Sequence, residues 1–271
     1  MSIVGKSVRW LILAIFILIT LVPLLWLIIS SFKTNQELFT SPFALPTSWS
    51  FDNYANALTD HPLLTFLKNS LLTALISTAL VIFASLLASY ALMHRFRASR
   101  ATFAFLLFGI LLPVNALMTP IFFIVHTIHL YNTTLGLSLV YAGLFFPLGF
   151  LIVKMYMDTT PLEILEAAQV DGAGFHTIFL RIVAPLTAPG ATTAAIFLMI
   201  SAFNELLFAS ILTQDTNAQT VQVGVRYFLS TYSANYPLAF AATVIAIAPT
   251  IVLYIILSDR IVAAMTAGSL K

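Results

Sequence analysis

The sequence predicts an all-α integral membrane protein of six transmembrane helices with both termini in the cytoplasm. Three observations predict it: a composition too apolar for a soluble fold, six apolar runs of membrane-spanning length, and a lopsided placement of Lys and Arg between alternate loops. Of 271 residues, 60% are hydrophobic and 8% charged, and mean hydropathy is +1.00, whereas a soluble domain carries roughly a quarter charged residues. A water-soluble fold of this length has no interior large enough for that much apolar surface. The net charge of +2, with no dense stripe of Lys and Arg, argues against a nucleic-acid partner. The chain has no cysteine, which removes disulfides, thiolate metal sites and thiol nucleophiles together.

A bilayer core of about 30 Å needs roughly 20 apolar residues at 1.5 Å rise each. Runs of that kind extend from about Trp10 to Ser30, Asn69 to Met93, Ala101 to Val125, Thr134 to Val153, Gly190 to Leu212 and Leu238 to Ser258. The first follows Lys6 and Arg9 but exceeds a signal-peptide core of roughly 7–15 residues and precedes no small-x-small cleavage site, so it reads as an uncleaved anchor. The third carries Asn115 between Pro113 and Pro120. Two prolines interrupt a helical ladder twice and leave carbonyls seeking other partners, which makes this span a hinge, a pathway wall or a tolerated kink.

The fifth run alone contains an ionisable residue, Glu205. A charge in hydrocarbon costs several kcal/mol unless it faces protein or water, so such a residue is a functional candidate. Ala191, Ala195, Leu198, Ala202, Glu205 and Ala209 recur at helical spacing and place the acid on a face of mostly small residues. Pathway or gate and structural pairing both remain open for it.

Alternate loops put Lys6, Arg9, Arg95, Arg97, Arg100, Lys154, Arg181, Arg260 and Lys271 on one side and only Lys33, Lys68 and Arg226 on the other. The side with the excess is cytoplasmic. The outer segments are then 31–68, a turn near His129, and 213–237, and Trp49, Phe51 and Tyr54 read as headgroup anchors rather than ligand contacts. His126 and His129 lie three apart, but no third ligand stands near them in the sequence, so no metal is assigned.

The cytoplasmic loop from Lys154 to Pro189 is long for a connection and carries helix punctuation. Thr160 is a candidate N-cap, Pro161 suits the first helical position, and Glu163 and Glu166 lie toward the positive end of the dipole. Asp171-Gly172 ends the helix, because Gly accepts the left-handed conformation of a tight exit. A second short helical pattern runs from Phe175 to Ile182, with Pro185 and Pro189 stopping it before the fifth span. Glu163 and Glu166 share a face, but no His or basic partner accompanies them in that helix, so a docking face explains them better than paired-carboxylate chemistry.

The order Glu166-Ala167-Ala168, three residues, Gly172, nine residues, Ile182, one residue, Ala184, Pro185 resembles the EAA loop of bacterial binding-protein-dependent permeases, EAA-x3-G-x9-I-x-L-P, with Ala184 where the family usually has Leu. Pro113 to Pro120, Leu135 to Tyr141, Phe203 to Ala209 and Ala267 to Lys271 resemble the maltose-permease-like, carbohydrate-importing branch, with Phe203 and Leu206 where that branch typically has Trp and Phe. The resemblance implies an ABC importer permease (MetI-like) fold over residues 1–271 as one domain, with core helices about 69–260 and a coupling loop about 154–189.

It also implies a role for Glu163, Glu166, Ala167, Ala168, Asp171, Gly172 and Pro185 in docking a separate ATPase. Asn115, Asn204 and Glu205 are the candidates for the substrate path. The implied function is ATP-driven uptake of a sugar or sugar derivative across the bacterial cytoplasmic membrane by alternating access. The implied partners are a second homologous permease, two ATPase subunits that carry ATP and Mg, an extracytoplasmic solute-binding protein and the lipid bilayer. The chain has no Gly-x4-Gly-Lys-Ser/Thr phosphate loop, so it is expected to bind no cofactor and to be non-catalytic. The alternatives are a permease for a non-sugar solute, a stand-alone secondary transporter with Glu205 as its one ionisable group, and a membrane-embedded enzyme.

Overall fold

The structure, a computed structural model, describes residues 3–59, 62–94, 96–229 and 235–267. Arg95 and Gly268 to Lys271 of the sequence reading lie outside them. Among the described residues every regular element is a helix. Five helical segments are long and apolar enough to cross a membrane: Val8–Ser30, Leu63–Met93, Thr134–Met157, Phe175–Asn204 and Tyr236–Ile255. The pair Ser99–Leu111 and Val114–Thr127 is bent by 94° at its break and adds a sixth where the two halves count as one crossing. The protein is multi-pass.

The chain divides into two compact units, residues 1–64 with 223–249, and 65–222 with 250–271. The first opens with α1 (Ile3–Ser30), whose side chains from Val8 to Leu25 are all exposed. A helix apolar all round needs lipid or protein on every face. Beyond it, α2 (Asn35–Thr40) starts with a capping box between Thr34 and Glu37, and α3 (Asp52–Thr59) follows.

Lys33 anchors the segment after α1. It is 2% exposed, and its Nζ donates to the carbonyls of Ser41 at 3.0 Å and Pro42 at 2.9 Å, just past the negative end of α2. Asn53 Nδ2 donates to the carbonyls of Ser31 and Lys33. The Phe32 ring meets those of Trp49, Phe51 and Tyr54 at centroid distances of 5.2, 5.3 and 5.2 Å. Three aromatics read from the sequence as headgroup anchors therefore share one packed cluster. The Thr47 hydroxyl, with the backbone N–H groups of Thr34 and Thr47, holds the Glu37 carboxyl near pKa 2, against an ordinary 4.5. Its ionised form thus supports this segment at neutral pH, and that support fades as pH falls from 4.5 toward 2.

The second unit contains α4 (Leu63–Met93, from Thr65), α5 (Ser99–Phe108), α6 (Met118–Thr127), α7 (Thr134–Met157), α8 (Leu162–Val170), α9 (Phe175–Ile178), α10 (Ala184–Asn204) and α11 (Leu207–Leu212). The chain goes on through α12 (Val221–Gly224) and α13 (Tyr236–Ala267), which span the boundaries between units. Close approach of α4, α7 and α10 depends on glycine. A Cβ on Gly149 of α7 would stand 2.4 Å from Val81 Cγ1 and 3.1 Å from Leu198 Cδ1, and one on Gly190 of α10 would stand 2.2 Å from Tyr156 Cγ. Small residues let membrane helices pack where no hydrophobic force draws them together.

Three expectations need correction. The third span is broken once, not twice. Leu112 is extended (ψ 130) because a residue before proline is pushed out of the α region, and Pro113 stays extended after it (ψ 108), whereas Pro120 sits in the first turn of α6, where no donor is needed. The second span begins earlier, at Leu63. The fifth-span helix begins at Phe175 rather than Gly190 and passes through both Pro185 and Pro189. A π-helical turn over Phe179–Val183, with Ala184 N–H bonded to Phe179 O, carries the chain past Pro185 on a wider register.

Candidate functional site

The helix α8, in the loop between the fourth and fifth spans, is amphipathic. Leu165 and Ala168 face inward and join Tyr90, Val153, Met157, Ile178 and Val183 in one apolar cluster. Glu163, Glu166, Ala167, Val170 and Asp171 are exposed, Val170 at 87%. The helix starts one residue later than the sequence suggested. Pro161, not Thr160, is the N-cap, at an extended ψ of 134, and its hydrocarbon ring has no atom to supply a side-chain hydrogen bond. Glu163 remains in the first turn, where the dipole favours a carboxylate.

The exit follows the sequence reading in detail. Gly172 has φ +82, Ala173 N–H bonds Ala168 O at 2.9 Å and Gly172 N–H bonds Gln169 O at 3.0 Å. These are the two bonds of a Schellman motif. Ala173 then packs on the cluster that holds Leu165 and Ala168, so the turn fixes the tilt of α8. Pro185 is exposed in the first turn of α10. At the end of α7, Lys154 pairs with Asp158.

Glu205 is not inside a continuous helix. α10 ends at Asn204, Glu205 is extended (φ −70, ψ 129), and α11 begins at Leu207, so the stripe of small residues is cut between Ala202 and Ala209. The reason is visible at the carboxylate. Oε1 accepts from Phe208 N–H at 3.0 Å, and Oε2 accepts from Ala209 N–H at 3.1 Å and from the Tyr141 hydroxyl at 2.6 Å. Two N–H groups at the start of α11 that a helix leaves unpaired are satisfied by this one side chain.

Tyr141, on α7, is fully buried and was missed by the sequence reading. A tyrosine inside an apolar span, whose hydroxyl must find an acceptor, was the available signal. Glu205 also lines a cavity of about 240 Å³ with Gly109, Ile110, Val114, Pro147 and Phe208, so the bend of the third span and the break of the fifth meet across it. Asn115 and Asn204 are exposed and not part of its wall. Asn204 Nδ2 donates to Ile200 O at 2.9 Å, and its Oδ1 accepts from Gln222 Nε2 at 3.3 Å.

The turn between α6 and α7 is held differently. Asn132, at φ +56, accepts through Oδ1 from Gln214 N–H at 2.6 Å and Asp215 N–H at 3.2 Å, while the His126 ring packs on Phe122 and Tyr131.

Removing the Glu205 carboxylate should therefore show first as lost structure. Glu205→Ala strands two backbone donors and a buried hydroxyl and is expected to cost on the order of 3 kcal/mol, whereas Glu205→Gln keeps an acceptor and should cost less. Thermal inactivation of the detergent-solubilised protein measures both. Equal stability of wild type and Glu205→Ala would remove the capping role.

Residues 80–267 match the family described as "Binding-protein-dependent transport system inner membrane component". The chain is 33% identical over 269 residues, 98% of it and 94% of the relative, to the sulfoquinovosyl glycerol transport system permease protein SmoH of Agrobacterium fabrum. It is 30% identical over 262 residues, 96% of it and 87% of the relative, to the diacetylchitobiose uptake system permease protein NgcG of Streptomyces coelicolor. Its fold is similar to that of a chain in the crystal structure of a bacterial ABC transporter involved in the import of the acidic polysaccharide alginate. The TM-score is 0.82 at 21% identity, covering 94% of this chain and 96% of that one.

Proposed function

This chain belongs to the binding-protein-dependent transport system inner membrane components, and from that premise we propose that it is one permease subunit of an ATP-driven importer for a sugar or sugar derivative. The observation that carries the proposal is α8, a short helix with its inner face locked in the core and Glu163, Glu166, Ala167 and Val170 free on its outer face. An ATPase outside the membrane can move buried helices only by touching something joined to them. Leu165 and Ala168 provide that junction, and Gly172 fixes its angle. The sugar class rests on the names of the relatives, which transport sulfoquinovosyl glycerol and diacetylchitobiose.

In this reading the assembly comprises a second permease, two ATPase subunits that bind ATP and Mg, and an extracytoplasmic solute-binding protein, in the bacterial cytoplasmic membrane. Both termini and α8 face the cytoplasm. ATPase closure pushes α8 and is passed to the spans as rigid-body motion, giving alternating access. The exposed amides of Asn115 and Asn204 suit sugar hydroxyls along the path, while Glu205 holds the break beside Asn204 in shape. The native chain has no cysteine, so Ala167→Cys gives a single reactive thiol on the exposed face. It should crosslink to an ATPase subunit copurified from the membrane. Failure of Ala167 and its exposed neighbours Glu163 and Val170 to crosslink, in a complex that does contain the ATPase, would refute docking at α8.

A further inference from the structure

We propose that Tyr90 is the positioning residue that makes the second span follow the coupling loop, an inference that rests on the reading of α8 as the coupling helix. Tyr90 lies one turn before the cytoplasmic end of α4 and is 2% exposed. Its hydroxyl donates to the carbonyl of Phe175 at 2.9 Å. Its ring centroid lies 4.6 Å from that of Phe175 and 5.0 Å from that of Phe179, and His94 adds rings at 5.1 Å from Tyr90 and 5.0 Å from Phe175.

Those two phenylalanines mark a specific stretch of chain. Phe175 is where the backbone re-enters helix after the Gly172 turn, and Phe179 opens the π-helical turn that leads into α10. A π turn swaps the ordinary ladder for longer-range bonds and is a local soft point. A push on α8 carried by backbone alone would be absorbed there. The Tyr90 side chain spans that stretch from a separate helix, and it belongs to the same apolar cluster as Leu165 and Ala168.

Ring contacts alone can slide, because apolar packing is non-directional. The hydrogen bond cannot, since it weakens steeply with angle. Phe175 O accepts from Phe179 N–H as well, so the Tyr90 hydroxyl uses the second acceptor site of a carbonyl that is already fixed in direction. Movement of α8 is thus passed to α4 in register, and α4 becomes a driven helix like α7 and α10.

Tyr90→Phe removes the hydroxyl and keeps the ring. In proteoliposomes containing the assembled transporter, the ratio of binding-protein-stimulated to basal Mg-ATP hydrolysis should fall about fivefold, the factor one neutral hydrogen bond represents. The amount of assembled complex should stay that of the wild type. Spin labels at Leu87→Cys, exposed on α4, and Gln169→Cys, exposed on α8 outside the docking residues, should keep one narrow separation with and without Mg-ATP and vanadate when Tyr90 is present. In Tyr90→Phe that separation should broaden or change with nucleotide.

An unchanged hydrolysis ratio and an unchanged separation in Tyr90→Phe would overturn the inference, as would failure of this variant to assemble, since the hydroxyl would then be a folding requirement. Glu166→Lys measured in parallel separates the two levels. If it too leaves the ratio unchanged, the coupling reading of α8 fails; if it lowers the ratio while Tyr90→Phe does not, only the role of Tyr90 fails.

Discussion

Gly172→Val and Glu166→Lys are each expected to yield inserted protein that keeps its partner permease and loses ATPase association or stimulated hydrolysis, with transport reduced about tenfold or more. The two act by different physics. At Gly172 no atom lies within 4 Å of where a Cβ would stand, so nothing clashes. The penalty is in the backbone: φ +82 is a region that costs an L-residue roughly 1–2 kcal/mol, and a β-branched one more. Relief comes only by giving up the bonds from Ala173 N–H to Ala168 O and from Gly172 N–H to Gln169 O, which set the tilt of α8.

Glu166 is exposed, so reversing its charge leaves the fold alone and changes only what the helix offers to a partner. The measurement is Mg-ATP hydrolysis by the copurified complex with and without the binding protein, together with crosslinking from Ala167→Cys in each background. Wild-type hydrolysis and an undiminished crosslink in both variants would show that coupling depends on neither the Gly172 turn nor the Glu166 charge.

Gly136→Ala is expected to prevent accumulation of folded protein. The added Cβ would lie 2.1 Å from the carbonyl oxygen of Leu130 and 3.0 Å from its carbon. That oxygen is backbone, and it also accepts from the Thr133 hydroxyl at 2.7 Å, while Thr133 Oγ1 accepts in turn from Gly136 N–H at 2.9 Å and caps α7. The clash therefore cannot be relieved by turning a side chain. It requires opening the turn that starts the fourth span, at a cost of about 3 kcal/mol or more, the upper end for overpacking.

Gly143→Ala supplies the control within the same helix. Nothing lies within 4 Å of its Cβ position, and Ala in place of a helical Gly is worth up to about 1 kcal/mol. Membrane abundance and thermal inactivation of the two variants should move in opposite directions. Wild-type abundance of Gly136→Ala would contradict the close approach of α7 to Leu130.

The helix α8 was legible because its signals are local. A left-handed residue at the end of a short helix leaves only a few identities possible, and Asp171-Gly172 announced it. The six runs of apolar residues were legible because the bilayer sets their length. Tyr141 and Tyr90 were not, because a tyrosine in an apolar run announces a need for an acceptor without naming it. The acceptors are a carboxylate on Glu205 and a carbonyl on Phe175, 64 and 85 residues away in the chain.

The prolines divide the two kinds of information most clearly. Proline removes a donor and disfavours the α region for the residue before it, and those properties are the same at Pro113, Pro120, Pro185 and Pro189. Only Pro113 marks a break, with 94° between the flanking helices. Pro120 falls in a first turn, and the fifth-span helix runs through Pro185 and Pro189 behind a π turn. Conversely, the fifth span breaks at Glu205, where no proline or glycine stands. The sequence by itself determined the apolar runs and the helix with its glycine exit, because these depend on residue type and near-neighbour spacing. Tertiary structure decided where helices break and which polar groups pair, because a freed carbonyl or N–H is stable only if another segment, distant in the chain, brings it a partner.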